Sequence, residues 1–319
     1  MHSIVHRVRI HDELPKVIID PTQLVVSGLS SGAYMANQMH VAFSTTFTKG
    51  AGIIAGGPYY CARNSEMIAL EPCMKHSELI PVDKLVEITR TWAKEGAIDD
   101  PRNMSQSRAY LFSGKLDTVV HQGVMEDLEE YYSNFLLSEN IHFRKDILSE
   151  HSVVTDLYGN PCPILNPPYI NNCAFDSIGE MLKFIFGPLK EKNLDTLNGK
   201  LLPFDQHKYG EARGLADIGY IFIPPKCEPK AKKAVPCKLI VALHGCLQNA
   251  DIVGIQFVSF AGYNNWADSN DMVVLYPQTG LGAINGCWDW WGYSSPDYAK
   301  KSGPQMSVIK RMVDYLLNP

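Results

Sequence analysis

The chain has 319 residues of near-average apolar and charged content, enough for one large α/β domain or two ordinary ones. Its formal net charge of −5 at pH 7 argues against nucleic acid or an anionic membrane surface as a partner. No uninterrupted apolar run approaches the length of a transmembrane helix, so membrane insertion is not expected.

The first 15 residues contain three histidines and several charges but no apolar core. They do not have the form of a signal peptide, so either such a peptide has been removed or the protein has none.

The pentapeptide Gly28-Leu29-Ser30-Ser31-Gly32 has the form G-x-S-x-G, which is typical of a nucleophile elbow. Residues 23–26 (QLVV) before it predict a short buried strand, and residues 33–43 after it carry apolar groups at helical spacing. Glycine is needed at both ends of so sharp a turn, because side chains there meet the neighbouring strand and helix. The pattern predicts that Ser30 is a nucleophile; the alternative is a Gly/Ser-rich loop that only ends a strand.

Two more chemistry-bearing side chains follow predicted strands. Residues 50–57 and 109–112 predict strands, and Asp117 lies in the loop after the second of them. Residues 141–148 predict a further strand, which His151 follows. Ligands bind at the carboxyl ends of strands in open α/β sheets, and the order Ser, Asp, His is that of the α/β-hydrolase triad. Asp117 could instead be an ordinary turn residue, and nine other histidines compete with His151.

The middle of the chain has weaker patterns. Residues 158–175 predict a Pro/Asn-rich loop, and residues 177–186 a helix. Residues 193–214 are polar and without clear periodicity, so we expect a connector. Strands are predicted at 219–224 and 237–243.

The strand at 237–243 runs into His244-Gly245-Cys246. A His-Gly turn after the third strand of an α/β-hydrolase supplies one backbone N–H of the oxyanion hole, and the residue after the nucleophile, here Ser31, supplies the other. In the usual order this turn precedes the nucleophile, whereas here it follows it. A helical segment, a strand at 272–276, an aromatic loop at 286–293 and a helix at 305–317 complete the chain. The simplest fold is one circularly permuted α/β-hydrolase domain with a mostly parallel sheet flanked by helices.

Eight cysteines fall in pairs along the chain: Cys61/Cys73, Cys162/Cys173, Cys227/Cys237 and Cys246/Cys287. No pair has C-x-x-C spacing, which weakens a zinc or thioredoxin-like interpretation. Disulfides in an exported protein are favoured, with reduced thiols in a cytosolic enzyme as the alternative.

Five stretches together resemble the single-domain, fungal-type extracellular poly(3-hydroxybutyrate) depolymerases. They are residues 28–34, 55–63 (AGGPYYCAR), 168–173 (PYINNC), 242–248 (ALHGCLQ) and 285–290 (NGCWDW). The resemblance covers nearly the whole chain. It implies the triad Ser30, Asp117 and His151, oxyanion donors at the N–H groups of Ser31 and Cys246, and four disulfides, which we predict in the consecutive pairs named above.

The family also implies a surface crevice for one polymer chain, lined by the tryptophan that matches Trp290. Trp288, Trp291, Tyr293 and His244 are further candidates for substrate contact, although a Trp-rich loop beside Cys287 could equally be core. We expect Trp290 to be the most exposed of these aromatic residues. No separate polymer-binding domain is visible, because linkers rich in Gly, Ser or Thr are absent.

The sequence therefore predicts a secreted, monomeric serine esterase that acts on poly(3-hydroxybutyrate) or related short-chain polyesters without a metal or organic cofactor. A secreted carbohydrate esterase for feruloyl or acetyl groups is the alternative, since it uses the same triad. An inactive binding protein on the same scaffold is a third reading, which the complete Ser/Asp/His set disfavours.

Overall fold

The computed structural model describes residues 10–318. The first nine residues, which make up most of the segment without a signal-peptide pattern, lie outside the described residues.

Residues 10–318 form both strands and α-helices. The strands are β1 (Ile19–Leu29), β2 (Gly50–Ile54), β3 (Arg108–Phe112), β4 (Ile141–Arg144), β5 (Val153–Thr155), β6 (Asn160–Pro161), β7 (Ile170–Asn172), β8 (Lys200–Asp205), β9 (Ile218–Ile223), β10 (Cys237–Leu243) and β11 (Met272–Tyr276). The helices are α1 (Ser31–Ala42), α2 (Glu66–Leu70), α3 (Val82–Lys94), α4 (Gln122–Ser133), α5 (Ser177–Phe186), α6 (Ala250–Val253), α7 (Gln256–Phe260), α8 (Tyr263–Asn270) and α9 (Pro304–Leu317).

One eight-stranded sheet carries both halves of the chain, in the order β4-β3-β2-β1-β10-β11-β9-β8. The pairs from β4 to β11 are parallel, and β9 runs antiparallel to both β11 and β8. β1 lies beside β10, with Leu24 opposite Leu239 and Val26 opposite Val241. The single sheet therefore excludes a separate sheet for each half of the chain.

The order of strands confirms the predicted permutation. The chain enters the sheet at its centre, on β1, and reaches the other half only from β8 onwards. The last helix, α9, packs against β1 and α1, so the end of the chain lies next to the first strand of the chain. Suppose that the two ends of the chain were joined and that the chain were cut before β8. The strands would then follow one another along the chain from β8 to β11 and, after α9, into β1.

The core explains why the central strands could be predicted. Every residue of β2 and β11 is buried, as is the run Leu24–Leu29 of β1. A parallel sheet covered on both faces needs such continuous apolar runs, which are visible in the sequence.

Two regions differ from the sequence-based prediction. The expected connector at 193–214 contains β8, an edge strand whose burial is mixed and which includes Pro203; proline is tolerated at an edge because no partner needs its missing N–H there. The expected loop at 158–175 contributes β6 and β7 to a small parallel sheet with β5. These strands are two and three residues long, too short to show periodicity.

Four disulfides join the cysteines in the predicted pairs: Cys61–Cys73, Cys162–Cys173, Cys227–Cys237 and Cys246–Cys287. All eight cysteines are used. No helix formed by residues 10–318 combines the length and apolar character needed to cross a membrane.

Candidate active site

Ser30 occupies a strained turn between β1 and α1. Its backbone has φ 57° and ψ −122°, a conformation that costs a non-glycine residue about 1–3 kcal/mol and is typical of functional sites. The Ser30 N–H donates to the Ile54 carbonyl at 2.9 Å, and its own carbonyl accepts from the N–H groups of Ala33 and Tyr34. Bonds on both sides of the turn thus hold Ser30 at the carboxyl edge of the sheet.

The two glycines of the pentapeptide are required by close backbone contacts. A Cβ on Gly28 would lie 2.3 Å from the Gly32 carbonyl oxygen, and a Cβ on Gly32 would lie 2.3 Å from the carbonyl oxygen of His244. No side chain fits at such distances. The pattern G-x-S-x-G therefore marks a real elbow in which strand, turn and helix pack backbone to backbone.

Asp117 and His151 form a buried pair. Asp117 Oδ2 lies 2.8 Å from His151 Nδ1, and Asp117 Oδ1 accepts from the N–H groups of Val119 and Val120 at 2.9 and 2.8 Å. The side chains of His151 and Asp117 are 7% and 1% exposed. Because a carboxylate only accepts hydrogen bonds, it holds the imidazole proton on Nδ1 and leaves Nε2 free to accept one.

A second carboxylate holds the loop that carries His151. Glu150 Oε2 accepts from the His151 N–H at 2.7 Å and from the Thr118 N–H at 3.3 Å, and Oε1 accepts from the Thr118 hydroxyl at 2.7 Å. Thr118 follows Asp117 directly, so Glu150 ties the two loops that bear the pair.

Ser30 and His151 line the same cavity but form no hydrogen bond with each other among the contacts of residues 10–318. β1 ends at the residue before Ser30, whereas Asp117 lies five residues beyond β3 and His151 seven residues beyond β4, which ends at Arg144 rather than at 148 as predicted. Catalytic hydrogen bonds are often long before substrate binds, so the arrangement is compatible with proton transfer in a complex.

Two backbone N–H groups beside Ser30 are without an acceptor among residues 10–318, those of Ser31 and Cys246. Both neighbours of Cys246 do donate: the Gly245 N–H to Gln248 Oε1 at 2.7 Å, and the Leu247 N–H to the Asn285 carbonyl at 2.8 Å. The turn therefore leaves one donor unused at the cavity, which suits a site that receives negative charge.

The cavity has a volume of about 560 Å³ and a mainly apolar lining. Apolar contact comes from elements far apart in the sequence: Leu29, Tyr34, Val119, Val120, Leu165 and Trp291. Such a lining suits an uncharged aliphatic ligand with few polar groups.

The aromatic loop differs in part from the prediction. Trp290 lines the cavity but is only 5% exposed, contrary to our expectation that it is the most exposed of the loop aromatics. Its indole stacks on Tyr34, which removes one face from water. Trp291 also lines the cavity and is half-buried.

Three other predicted contact residues do not line the cavity. Trp288 is fully buried, and its indole N–H donates to the His244 carbonyl at 3.0 Å. The Tyr293 hydroxyl donates to the Cys287 carbonyl at 2.8 Å. The structure therefore does not place these two residues or His244 at the cavity, because each is used inside the loop packing.

His244 is a buried, neutral histidine. Its Nδ1 lies 2.7 Å from the Gly245 carbonyl, so Nδ1 carries the proton, and its Nε2 accepts from the Thr279 N–H at 3.1 Å. Burial lowers the pKa of His244 to about 4, since a charged ring would lose water on every side. Protonation of His244 at Nε2 would also place the new N–H against the Thr279 N–H, so two donors would face each other.

Sequence reasoning missed the wall formed by Leu165, Pro167 and Tyr169, and also Tyr34. A usable signal existed, because the Pro/Asn-rich segment is closed by Cys162–Cys173 and so could not be a free loop.

Within residues 10–318 no group of three or more His, Cys, Asp or Glu side chains is arranged to hold a metal ion.

Known proteins with similar sequences share one description, although no protein-family model matches the chain. The chain is 50% identical over 302 residues to a poly(3-hydroxybutyrate) depolymerase of Delftia acidovorans, covering 94% of this chain and 61% of that protein. It is 36% identical over 321 residues to a polyhydroxybutyrate depolymerase of Talaromyces funiculosus, covering 96% of this chain and 92% of that one. The chain thus spans about three fifths of the Delftia protein and nearly all of the Talaromyces protein.

Solved structures give the same result. The crystal structure of a PHB depolymerase from Penicillium funiculosum superposes with a TM-score of 0.88 at 36% identity, covering 96% of this chain and 98% of that one. A serine-to-alanine variant of a PHB depolymerase complexed with an R3HB trimer superposes equally well, with the same identity and coverage. The resemblance in the five sequence stretches is confirmed, and this chain belongs to the polyhydroxybutyrate depolymerase family.

Proposed function

We propose that this protein hydrolyses the ester bonds of poly(3-hydroxybutyrate) or related short-chain polyesters, with Ser30, His151 and Asp117 as its triad. The observation that carries the proposal is the buried Asp117–His151 pair beside an elbow serine in one apolar cavity. Family membership supports the substrate class.

The reaction follows from the atoms at the site. The Ser30 hydroxyl attacks the ester carbonyl while His151 Nε2 takes its proton. His151 then gives this proton to the leaving alcohol, and the acyl group stays on Ser30. A water next attacks the acyl carbonyl while His151 Nε2 takes its proton, and His151 returns that proton to Ser30 Oγ as the bond to the acyl group breaks. Asp117 keeps the second ring proton on Nδ1 and stabilises the imidazolium that forms.

The oxyanion of each tetrahedral intermediate is received by the N–H groups of Ser31 and Cys246. Each such donor contributes roughly 3–4 kcal/mol to the transition state in comparable enzymes. The absence of another acceptor for either group among residues 10–318 supports this role. These protein groups suffice for the chemistry, so we propose no metal or organic cofactor.

The lining of the cavity supports an uncharged aliphatic polyester. Such a chain offers methyl groups and ester dipoles, and apolar contact is worth roughly 25 cal/mol per Å² removed from water. Trp290 and Trp291 form part of the lining and can cover methyl groups of the chain.

We also propose one catalytic domain, acting as a monomer outside the cell. One eight-stranded sheet that carries both halves of the chain, with one core, supports the single domain, and four disulfides support an oxidising compartment. All proposed catalytic groups come from one chain, so the site needs no second copy.

A substrate panel tests the proposal: a poly(3-hydroxybutyrate) emulsion, p-nitrophenyl butyrate and a feruloyl ester. We expect clearing of the emulsion and turnover of the butyrate ester, and loss of both in Ser30→Ala. Turnover of the feruloyl ester without clearing of the emulsion would instead favour a carbohydrate esterase. Binding of the polymer without turnover of any ester would favour the inactive scaffold.

A further inference from the structure

The N–H of Cys246 and the carbonyl of Gly245 belong to one peptide unit. In a trans peptide these two groups point in opposite directions from a rigid plane. His244 Nδ1 holds the carbonyl oxygen at 2.7 Å. The hydrogen bond to the Gly245 carbonyl therefore sets the direction of the Cys246 N–H. This single bond still allows the peptide plane to rotate.

Gln248 supplies the second constraint. Its Oε1 accepts from the Gly245 N–H at 2.7 Å, which fixes the other side of Gly245. Its Nε2 donates to the carbonyl oxygens of Pro168 and Tyr169 at 2.8 and 3.1 Å. The side chain is fully buried, so water does not compete for these bonds.

The same side chain thus joins the turn to the wall of the cavity. Pro167 and Tyr169 line the cavity on one side, and Gly245 and Cys246 line it on another. A Cβ placed on Gly245 would lie 3.4 Å from both Gln248 Oε1 and Ser30 Cβ. Gln248 therefore acts one contact away from the nucleophile without touching the cavity itself.

We propose that Gln248 is a positioning residue: through Gly245 it aims the Cys246 N–H at the oxyanion and fixes that donor relative to the substrate wall at 167–169. The inference rests on the proposed ester hydrolysis. It does not depend on whether the substrate is a polymer or on how long the polymer is.

The bonding pattern explains why this position holds an amide. It must accept one hydrogen bond and donate two at the same time, and a glutamine side chain does both. An ionised carboxylate cannot donate. An apolar side chain would leave the Gly245 N–H and the Pro168 carbonyl without a partner among residues 10–318, each at a cost, whereas the Tyr169 carbonyl would keep the Val153 N–H at 3.0 Å.

The first test compares Gln248→Ala with Gln278→Ala. Gln278 is also buried, and its side chain also bonds backbone, accepting from the Ala250 N–H and donating to the Pro277 carbonyl, both at 3.0 Å. It does not line the cavity, and its side chain forms no hydrogen bond to residues 244–248. We expect kcat/KM for p-nitrophenyl butyrate to fall about 10- to 100-fold in Gln248→Ala, less than the roughly 10²–10³-fold loss when a donor is removed outright. Gln278→Ala should keep its kcat.

Affinity for a transition-state analogue separates positioning from stability. A trifluoromethyl ketone analogue of the butyrate ester forms a tetrahedral oxyanion on Ser30, so its inhibition constant should rise by the same factor as kcat/KM falls. Thermal melting identifies any part of the loss that is due to unfolding. An inhibition constant equal to that of the wild type in folded Gln248→Ala would overturn the proposal, and so would an equal loss of activity in Gln278→Ala.

A second variant, Gln248→Glu, keeps the size and, while protonated, the acceptor for Gly245. Once ionised, its charge lies one residue from the oxyanion donor and faces two carbonyl oxygens. The ratio of kcat/KM in the variant to that in the wild type should therefore fall at least tenfold as pH rises from 5 to 8. His151 and His244 are common to both enzymes and cancel in the ratio; a ratio independent of pH would contradict the proposal.

Failure of the proposed function would appear differently. A wild-type enzyme that neither turns over p-nitrophenyl butyrate nor binds the trifluoromethyl ketone would refute ester hydrolysis before any variant is compared. A wild type active on the soluble ester but not on the polymer leaves the test of Gln248 intact.

Discussion

The indole of Trp290 stacks on the phenol ring of Tyr34, with ring centroids 4.0 Å apart and planes inclined by 13°. Tyr34 lies on α1, four residues after Ser30, and its hydroxyl donates to the Cys73 carbonyl. The stack therefore fixes the aromatic loop to the helix that follows the nucleophile. Trp290 is both a wall of the cavity and part of the core.

Trp290→Ala should lower both stability and polymer hydrolysis. Loss of a buried indole costs about 3–5 kcal/mol of unfolding free energy. At temperatures well below melting, we expect hydrolysis of a poly(3-hydroxybutyrate) emulsion to fall several times more than that of p-nitrophenyl acetate, because the small ester covers little of the wall. Trp266→Ala is the control, since Trp266 is equally buried but bonds Asp176 away from the cavity. Equal losses of both activities in Trp290→Ala would make Trp290 purely structural.

Asp117→Asn should reduce kcat by about 10⁴-fold with little change in KM. The introduced amide can still accept from Val119 and Val120, but its NH₂ group then faces His151 Nδ1 and forces the ring proton onto Nε2. That tautomer cannot take the Ser30 proton. Steady-state kinetics with p-nitrophenyl butyrate measures the loss.

The chain provides a matched control for this variant in a second Asp–His pair. Asp127 Oδ2 lies 3.0 Å from His76 Nε2, and neither side chain lines the cavity. Asp127→Asn should leave kcat within about twofold of the wild type. A comparable loss in both variants would mean that Asp117 acts only through folding.

Replacement of both cysteines of Cys246–Cys287 by serine should lower esterase activity more than the loss of unfolding free energy accounts for. The disulfide joins the turn that carries the Cys246 N–H to the aromatic loop. Chain entropy alone gives it about 4 kcal/mol and gives Cys227–Cys237, which closes a shorter loop, about 3 kcal/mol. Urea unfolding and esterase kinetics on the two double variants compare them. If activity fell in proportion to the loss of unfolding free energy in both double variants, the disulfide Cys246–Cys287 would have no special effect on the oxyanion donor at Cys246.

Stability should fall in acid through buried neutral histidines. His40 lies between Tyr132 and Ser107, and burial lowers its pKa to about 3. The unfolded chain binds a proton near pH 6.5 while the folded protein does not, so stability is complete above pH 6.5 and is lost as pH falls towards 3. Each such histidine contributes a slope of up to about 1.4 kcal/mol per pH unit.

His40→Gln isolates this effect. The variant should be less stable at pH 7 but should lose about 1.4 kcal/mol less per unit between pH 6 and 5, measured by urea unfolding. Carboxylates contribute equally to both proteins, so the difference in slope belongs to His40. Parallel curves for variant and wild type would show that His40 is not neutral in the folded state.

Short-range sterics made part of this protein readable from the sequence. Gly28 and Gly32 flank Ser30 because the backbone approaches there leave no room for a Cβ. For Gly28 the nearest backbone is that of Gly32, within the same pentapeptide, whereas for Gly32 it is that of Leu243 and His244, far along the chain. The buried strands β2 and β11 show as continuous apolar runs, since both faces of a parallel sheet are covered. Three of the disulfides close short loops between cysteines 10 to 12 positions apart. Spacing alone did not fix the pairing, because Cys237 is nearer along the chain to Cys246 than to its partner Cys227.

Only the tertiary structure decided which side of each polar or aromatic group meets the cavity. Trp290 and Trp288 differ in function although they stand two residues apart, because one stacks on Tyr34 at the cavity and the other bonds the backbone of His244 beneath it. Gln248 reaches carbonyl oxygens about 80 residues earlier in the chain. No local pattern encodes such contacts, since burial and hydrogen-bond partners are set by segments that meet only when the sheet is assembled.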